Sequence, residues 1–310
     1  MTQRPSPFDV YVGDGGEHAD RAADLPEQPA LVREHGRYLA APDLVEAVNI
    51  AITVGQPLLV TGEPGSGKTR LAWSVAHELG LGEPLVFTTR SSSRAQDLLY
   101  RYDAVLRFHD IQSSSPRAAD AGRYLHWEAL GQAIRAQQRR VVLIDEIDKA
   151  PRDFPNDLLH ELDRMSFAVP ELGDDNVFAS QVRPIVVITS NSERQLPDPF
   201  LRRCVFHRIE FPDKSRLQQI LVQRLGHLKL PERLIESAIR RFEEIRALPG
   251  LEKKPATAEL IAWTKVLSAN GVDAPQLERL SLTELPAKSA LLKTDADARR
   301  LTTRTDSAAV

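Results

Sequence analysis

The sequence predicts an α/β fold, with a five-stranded parallel sheet flanked by helices and a small all-helical domain after it. Between residues 43 and 211, short apolar runs alternate with segments of helical periodicity. Such alternation is typical of a parallel sheet with helices on both faces. After Pro212 the strand-like runs stop, and apolar residues recur only at helical spacing. Ligands of such sheets bind at the carboxyl ends of the strands, where the motifs described below all fall.

The candidate elements follow in chain order. A helical pattern from Asp43 to Ile52 precedes the first strand, and the helix after residue 157 carries apolar residues on one face. Three further helical patterns follow Pro212, the third with Thr257 as its expected N-cap. The five expected strands are Leu58–Thr61, Leu85–Thr88, Val141–Asp145, Ile185–Ser190 and Val205–Phe211.

Two stretches interrupt the alternation and define the domain plan. Residues 91–126 contain LLYRYDAVLRFHDI, which predicts an inserted element with strand character, and residues 167–184 predict a hairpin that turns at Gly173–Asn176. The core then spans residues 36–212 and the helical domain residues 213–285. We expect residues 1–35 to be a mobile arm and residues 286–310 a polar tail.

Composition restricts the functional classes. The 310-residue chain has a formal net charge of −3, which gives no general attraction to nucleic acid or anionic lipid. Cys204 is its only cysteine, so an intramolecular disulfide is impossible and a reducing compartment is expected. No signal peptide or membrane-length apolar run is evident, so we expect a cytoplasmic protein without a membrane partner.

A glycine-rich loop follows the first strand and matches G-x-x-x-x-G-K-[ST]. Its glycines allow several N–H groups to point at one anion beside the positive end of a helix dipole. Lys68 would reach the β- and γ-phosphates, and the Thr69 hydroxyl would bind Mg²⁺. The predicted nucleotide cradle consists of Gly62, Glu63, Pro64, Gly65, Ser66, Gly67, Lys68 and Thr69.

The run VVLIDEID, residues 141–148, places two acids after an apolar strand. Asp145 would hold Mg²⁺ together with Thr69, because a hard cation prefers carboxylate oxygen. Glu146 would polarise a water molecule aimed at the γ-phosphorus, which favours hydrolysis over transfer to a substrate. Asp148 and Lys149 are interpreted as structural or surface residues.

Two further motifs follow the next strands. Asn191 ends IVVITSN and would lie level with Glu146, where its amide could bind the attacking water or a γ-oxygen. Arg202 and Arg203 precede the last strand. Without the other motifs, two arginines at this position would indicate only a solvent-exposed corner of the chain.

The ordered set of motifs resembles the AAA+ ATPases, specifically their MoxR-like branch, over about residues 35–285. The resemblance rests on GEPGSGKT, VVLIDEID, the position of Asn191, LRRCVFHRIEFP and the placement of both insertions. It implies a P-loop sheet with a helical lid domain, ATP and Mg²⁺ as ligands, and a ring, usually of six subunits, with ATP between neighbours. It also implies that Arg202 and Arg203 occupy the finger position, which reaches the γ-phosphate in the next subunit.

The resemblance further implies chaperone-like remodelling of a protein partner, such as a von Willebrand A-domain protein. Two other classes stay open: a nucleic-acid motor or loader, and a nucleotide-gated binding switch with little turnover. A GTPase is not expected, because the chain has no N-K-x-D motif. The insertion offers basic and aromatic residues for a nucleic acid, diluted by two acids: Arg101, Tyr102, Arg107, Phe108 and His109, with Asp103 and Asp110.

One position departs from the family pattern. A sensor arginine often begins a lid helix within a Pro-Arg-Ala context, whereas KKPATAEL has Ala256 there. Lys253 or Lys254 could replace that arginine, or the role could be absent.

Overall fold

The computed structural model describes residues 38–173, 176–191 and 193–303. They form two compact units, one spanning Tyr38–Glu210 and the other containing the described residues from Phe211 onward. The predicted N-terminal arm, residues 1–35, lies outside the described residues, as do residues 304–310 of the predicted tail.

The first unit is built on the predicted parallel sheet. Its strand order is β2-β5-β8-β1-β9, with every pair parallel. Three of the predicted strands have the expected bounds, β1 extends one residue further, and β9 ends two residues earlier. In chain order the strands of the described residues are β1 (Leu58–Gly62), β2 (Leu85–Thr88), β3 (Tyr100–Tyr102), β4 (Leu125–Trp127), β5 (Val141–Asp145), β6 (Ser166–Ala168), β7 (Val177–Ala179), β8 (Ile185–Ser190) and β9 (Val205–Ile209).

Helices cover both faces of the sheet. Because strand side chains alternate, Leu59 and Ile144 belong to one apolar core, while Leu58 and Leu143 belong to the core on the opposite face. In chain order the α-helices of the described residues are α1 (Pro42–Val54), α2 (Lys68–Glu78), α3 (Ala104–Gln112), α4 (Ala129–Arg135), α5 (Phe154–Asp157), α6 (Leu159–Arg164), α7 (Asp198–Leu201), α8 (Lys214–Leu225), α9 (Glu232–Arg246), α10 (Thr257–Ala269), α11 (Ala274–Arg279) and α12 (Asp295–Thr303).

The predicted insertion is partly strand and partly helix. Strands β3 and β4 form an antiparallel pair, with Tyr100 opposite Trp127. The expectation of strand character is correct only for Tyr100–Tyr102 within LLYRYDAVLRFHDI, because the next residue starts a helix. The Asp103 carboxylate accepts a hydrogen bond from Leu106 N at 2.8 Å and so caps α3.

The predicted hairpin is present as the pair β6–β7. Asn176 N donates to Gly173 O at 3.1 Å across the turn. The rings of Phe167 and Phe178 stack with centroids 5.5 Å apart, and both pack against Trp127 of the insertion. The two interruptions of the sheet therefore pack on each other through one aromatic cluster.

The second unit is all-helical, but it continues beyond the predicted boundary at residue 285. Leu291, Leu292 and Leu301 are buried in the same apolar core as Phe242 and Trp263. The prediction of a polar tail from residue 286 is therefore wrong for residues 286–303. Its three leucines lie in the core, while most of its polar residues are exposed or half-buried.

The cap of α10 also differs from the prediction. Ala256, not Thr257, is the N-cap residue, and its N–H donates to Glu259 Oε2 at 3.1 Å. The buried Thr257 hydroxyl makes no hydrogen bond within the described residues.

Candidate nucleotide site

The loop between β1 and α2 curls as its glycines allow. Gly65 and Gly67 adopt φ angles of +76° and +92°, in the left-handed region that other residues rarely occupy. At Gly62 a Cβ would lie 2.7 Å from the carbonyl oxygen of Ile209, so no larger residue fits there. These three positions keep the loop close to the start of α2, where backbone N–H groups can bind an anion.

Lys68 lies inside this loop. Only 6% of the residue is exposed, and its Nζ donates hydrogen bonds to Gly62 O and Glu63 O, both at 2.9 Å. Burial lowers the pKa of the Lys68 ammonium, while the nearby carboxylates, Asp148 first among them, act in the opposite direction. Lys68 is therefore a buried cation, held by two carbonyls at the centre of the loop.

The loop also holds an unpartnered hydroxyl. Ser66 Oγ is buried and makes no hydrogen bond within the described residues. A buried hydroxyl without a partner is costly unless a ligand supplies one. Together with the glycine cradle and the buried ammonium, this atom fits a bound phosphate.

Asp145 lies at the carboxyl end of β5, next to the loop. Its Oδ1 accepts hydrogen bonds from Thr69 Oγ1 at 2.9 Å and from Thr189 Oγ1 at 2.6 Å. The two predicted metal ligands, Thr69 and Asp145, are thus in direct contact, and their hydroxyl and carboxylate oxygens suit Mg²⁺. Sequence analysis missed Thr189, because it lies within a fully buried strand and its polarity alone gave no signal.

Glu146 follows immediately in the left-handed conformation, at φ 57° and ψ 50°. Its N–H donates to Thr189 Oγ1 at 2.9 Å, so Thr189 contacts both acids. The carboxylate accepts from Asn191 Nδ2 at 3.3 Å on one oxygen and from Lys149 Nζ at 2.6 Å on the other. The structure therefore places Asn191 beside Glu146, as expected, and adds Lys149 as an unexpected partner.

Asp148 holds the loop that carries Asn191. It is buried, with 3% of the residue exposed, and its carboxylate accepts hydrogen bonds from Asn191 N at 3.2 Å and Glu193 N at 3.0 Å. The structural interpretation of Asp148 is consistent with these contacts, which fix the start of the Asn191 loop relative to Glu146.

The two arginines of LRRC differ in their surroundings. Arg203 Nε donates to Asp163 Oδ2 at 2.6 Å, and Nη1 donates to Pro199 O at 2.9 Å. Arg202 is exposed, and its guanidinium has no hydrogen bond or ion pair among the described residues. In the chain by itself, neither arginine contacts Lys68, Asp145 or Glu146.

The candidate sensor lysines lie in the helical unit. Both side chains are exposed, and the backbone N–H of Lys253 donates to Asp297 Oδ2 at 3.2 Å. Asp297 is fully buried on α12 and also accepts from Glu252 N at 2.8 Å. The segment before α10 is therefore fixed by α12.

Within the described residues, no helix is both long and apolar enough to cross a membrane, and no cluster of three His, Cys, Asp or Glu residues could hold a metal ion.

Comparison with known proteins adds a family match. The family model described as the AAA domain (dynein-related subfamily) matches residues 57–204. This range contains the loop, both acids, Asn191 and the two arginines. A comparison with curated proteins gives no significant match.

Solved structures similar to this chain include three variants of RuvB from Thermotoga maritima, at 16%, 15% and 15% sequence identity. Their TM-scores are 0.48, 0.47 and 0.45. Each alignment covers 76% of this chain, and 66%, 65% and 65% of the RuvB chains, so this chain spans about two thirds of their length. The family match and the sheet topology, rather than these structures, identify the domain. Residues 57–204 therefore match an AAA domain, and the five-stranded parallel sheet built around them has the P-loop fold of that domain.

Proposed function

We propose that this chain is a MoxR-like AAA+ ATPase, which hydrolyses ATP with Mg²⁺ at the subunit interfaces of a ring and uses the energy to remodel a protein partner. The observation that carries the ATPase half is the convergence of Lys68, Asp145, Glu146 and Asn191 at one edge of the sheet. The remodelling half, including a von Willebrand A-domain partner, rests on the resemblance of motifs and insertions.

The residues of the site have separable roles in this proposal. Lys68 and the loop N–H groups hold the phosphates, while Thr69 and Asp145 hold Mg²⁺, which when bound would neutralise phosphate charge. Glu146 accepts a proton from the attacking water, and Asn191 orients that water without adding charge. The residues fit these roles because Lys68 and Thr69 start the helix after β1, Asp145 and Glu146 follow each other at the end of β5, and Thr69 contacts Asp145 directly.

Assembly into a ring would bring the arginines of one subunit to the nucleotide of the next. Because Arg202 and Arg203 contact neither Asp145 and Glu146 nor the phosphate loop of their own chain, they could act on the nucleotide of a neighbour. An arginine supplied in this way is worth about 10³–10⁵ in rate. A hexamer is the size that the resemblance implies.

The contacts within the insertion give little support to the alternative of a nucleic-acid motor or loader. Arg101 pairs with Glu128 at 2.5 Å, and Arg107 bonds to the Tyr102 hydroxyl, so these cations are engaged within the insertion itself. Filter binding of single-stranded DNA at several salt concentrations tests this alternative, because phosphate contacts give a steep salt dependence.

Phosphate release from ATP tests the proposed activity. The wild-type chain should release phosphate only with Mg²⁺, and the Glu146→Gln variant should bind ATP but lose turnover by at least about 100-fold, because an amide cannot serve as the base. Equal turnover in the variant would contradict the role of Glu146. A wild-type chain that binds ATP with negligible release would instead support the nucleotide-gated switch.

A pull-down with the Glu146→Gln variant tests the remodelling half. ATP-locked subunits should retain a protein partner that the Lys68→Ala variant, run as the matched control, does not retain. Retention of the same proteins by both variants would contradict a nucleotide-dependent partner.

A further inference from the structure

The Arg203 guanidinium is held on one side by its own subunit. Its Nε donates to Asp163 Oδ2 at 2.6 Å, and its Nη1 donates to Pro199 O at 2.9 Å. Its Nη2 makes no hydrogen bond within the described residues, and 42% of the side chain is exposed. The guanidinium is therefore fixed in direction, while some of its N–H groups remain for an external anion.

Asp163, which directs Arg203, is itself held in place. It lies in α6, and its backbone carbonyl accepts a hydrogen bond from Arg183 Nη1 at 3.1 Å. Arg183 Nη2 donates to Leu162 O at 2.8 Å, and Nε donates to Gly55 O at 2.6 Å. One arginine thus ties the end of α6 to the residue that caps α1, and the Asp163 carboxylate extends from a fixed backbone.

Arg202 has no comparable support. Its side chain is exposed, and its guanidinium has no hydrogen bond or ion pair in the part of the chain that the structure describes. Ordering such a side chain at a phosphate costs conformational entropy, whereas Arg203 is already ordered. Prior ordering makes a contact in the transition state more effective, and a displacement of about 1 Å can cost about 100-fold in rate.

We propose that Arg203 is the principal finger and that Asp163 is its positioning residue, which directs the guanidinium to the nucleotide of the neighbouring subunit. This inference rests on the proposed function, in which ATP lies between subunits. It differs from a structural role for Asp163, because it requires that Asp163 affects turnover only through Arg203.

Phosphate release by the full chain with Mg²⁺ and ATP tests this role. Asp163→Ala should lower kcat about 10- to 100-fold with KM within about twofold of wild type, since the finger acts in the transition state. Asp163→Asn keeps an acceptor oxygen for Arg203 Nε and should retain more turnover than Asp163→Ala. Asp157→Ala, the matched control, removes an exposed carboxylate from the neighbouring helix α5 and should leave kcat unchanged.

A double-mutant cycle separates positioning from a structural role. In the Arg203→Ala background, Asp163→Ala should change kcat by less than about twofold, because the residue through which it acts is gone. In the Arg202→Ala background, Asp163→Ala should keep its full effect. Single-turnover phosphate release resolves these low rates. Losses that multiply in the Arg203→Ala background would overturn the positioning role.

Binding of ADP together with aluminium fluoride gives a measurement independent of turnover, because this pair imitates the transferring phosphate. Asp163→Ala should weaken this binding about 10-fold and leave the binding of ADP alone unchanged, since transition-state analogues report contacts made only in the transition state. Equal binding of the analogue by wild type and Asp163→Ala would contradict the inference.

Two further outcomes separate this inference from the proposed function. A wild-type kcat in Asp163→Ala, or a larger loss of turnover in Arg202→Ala than in Arg203→Ala, would overturn the inference and leave the proposed ATPase intact. A wild-type chain that releases no phosphate would overturn the proposed function and the inference with it.

Discussion

At the scale of single residues, the site is held together by side-chain oxygens that each take part in two hydrogen bonds. Asp145 Oδ1 accepts bonds from Thr69 and Thr189, and the hydroxyl of Thr189 in turn accepts from Glu146 N. Thr89 adds a hydroxyl that donates to the backbone carbonyl of Asp145 at 2.8 Å and also contacts that of Glu146. These shared hydrogen bonds hold the two acids at the strand end.

The role of Lys68 can be tested at this scale. Lys68→Ala removes the buried ammonium that is proposed to contact the phosphates, and a hydrogen bond to a charged group contributes about 1.5–3 kcal/mol. We therefore expect the affinity for ATP to fall about 10- to 100-fold, measured by titration calorimetry. Lys265→Ala, at an exposed position, should bind as the wild type does. Equal affinity in both variants would contradict the phosphate-loop assignment.

The two arginines should differ in their effect on stability. Arg203→Ala leaves the Asp163 carboxylate without its partner, and for a half-exposed pair the expected loss is about 0.5–1 kcal/mol of the free energy of unfolding. Arg202→Ala should leave stability unchanged, because its side chain makes no bond within the described residues. Denaturant titration measures both. A larger loss for Arg202→Ala would show that it, not Arg203, supports the fold.

At the scale of elements, the edge of the sheet is organised by one short turn. The residues Ile147–Lys149 form a 3₁₀ turn directly after Glu146, which places Asp148 under the Asn191 loop and Lys149 on the Glu146 carboxylate. The buried Ile147 anchors this turn in the core. A three-residue element therefore couples the end of β5 to the end of β8.

Close packing of α4 gives a prediction at this scale. A Cβ at Gly131 would lie 1.9 Å from the carbonyl oxygen of Leu99, which already accepts a hydrogen bond from Glu128 N. Gly131→Ala must therefore displace backbone, and we expect a loss of about 1–3 kcal/mol in the free energy of unfolding. Circular dichroism during urea unfolding measures this loss.

Gly226→Ala provides the matched control, since no atom lies within 4 Å of a Cβ there and φ is −57°. It should be neutral or stabilise by up to about 1 kcal/mol. Similar destabilisation by both variants would show that the close approach of Gly131 to the Leu99 carbonyl is not the cause.

At the scale of the whole molecule, the proposed ring can be tested through Arg202 and Arg203, for which no contact with Asp145 or Glu146 is found among the described residues. The double variant Arg202→Ala/Arg203→Ala should bind ATP and barely turn it over, and so should Glu146→Gln. In a head-to-tail ring, each interface combines the site of one subunit with the arginines of the next. A one-to-one mixture of the two inactive variants should therefore restore activity at about a quarter of the interfaces.

Light scattering must first confirm that the two variants assemble together with ATP and Mg²⁺. Recovery of phosphate release then supports arginines acting between subunits. A mixture that co-assembles yet stays as inactive as its parents would show that the arginines act within their own subunit or only support the fold.

The sequence by itself determined the strands of the sheet and the residues at their ends. The runs that form β1, β5 and β8 are short, apolar and followed by chemically distinctive residues, so local pattern suffices to find them. Parallel pairing then brings Lys68, Asp145, Glu146 and Asn191 to one edge, because all strands end there.

Only the tertiary structure decided how these residues are held. Thr189 and Lys149 contact the acids through bonds that depend on register and on the left-handed turn at Glu146, and no sequence spacing encodes either. The same holds for Leu291 and Leu301, which sit in polar sequence yet complete the core of the helical unit. Burial of a few side chains among many polar residues depends on what packs against them, and that is a property of the folded chain.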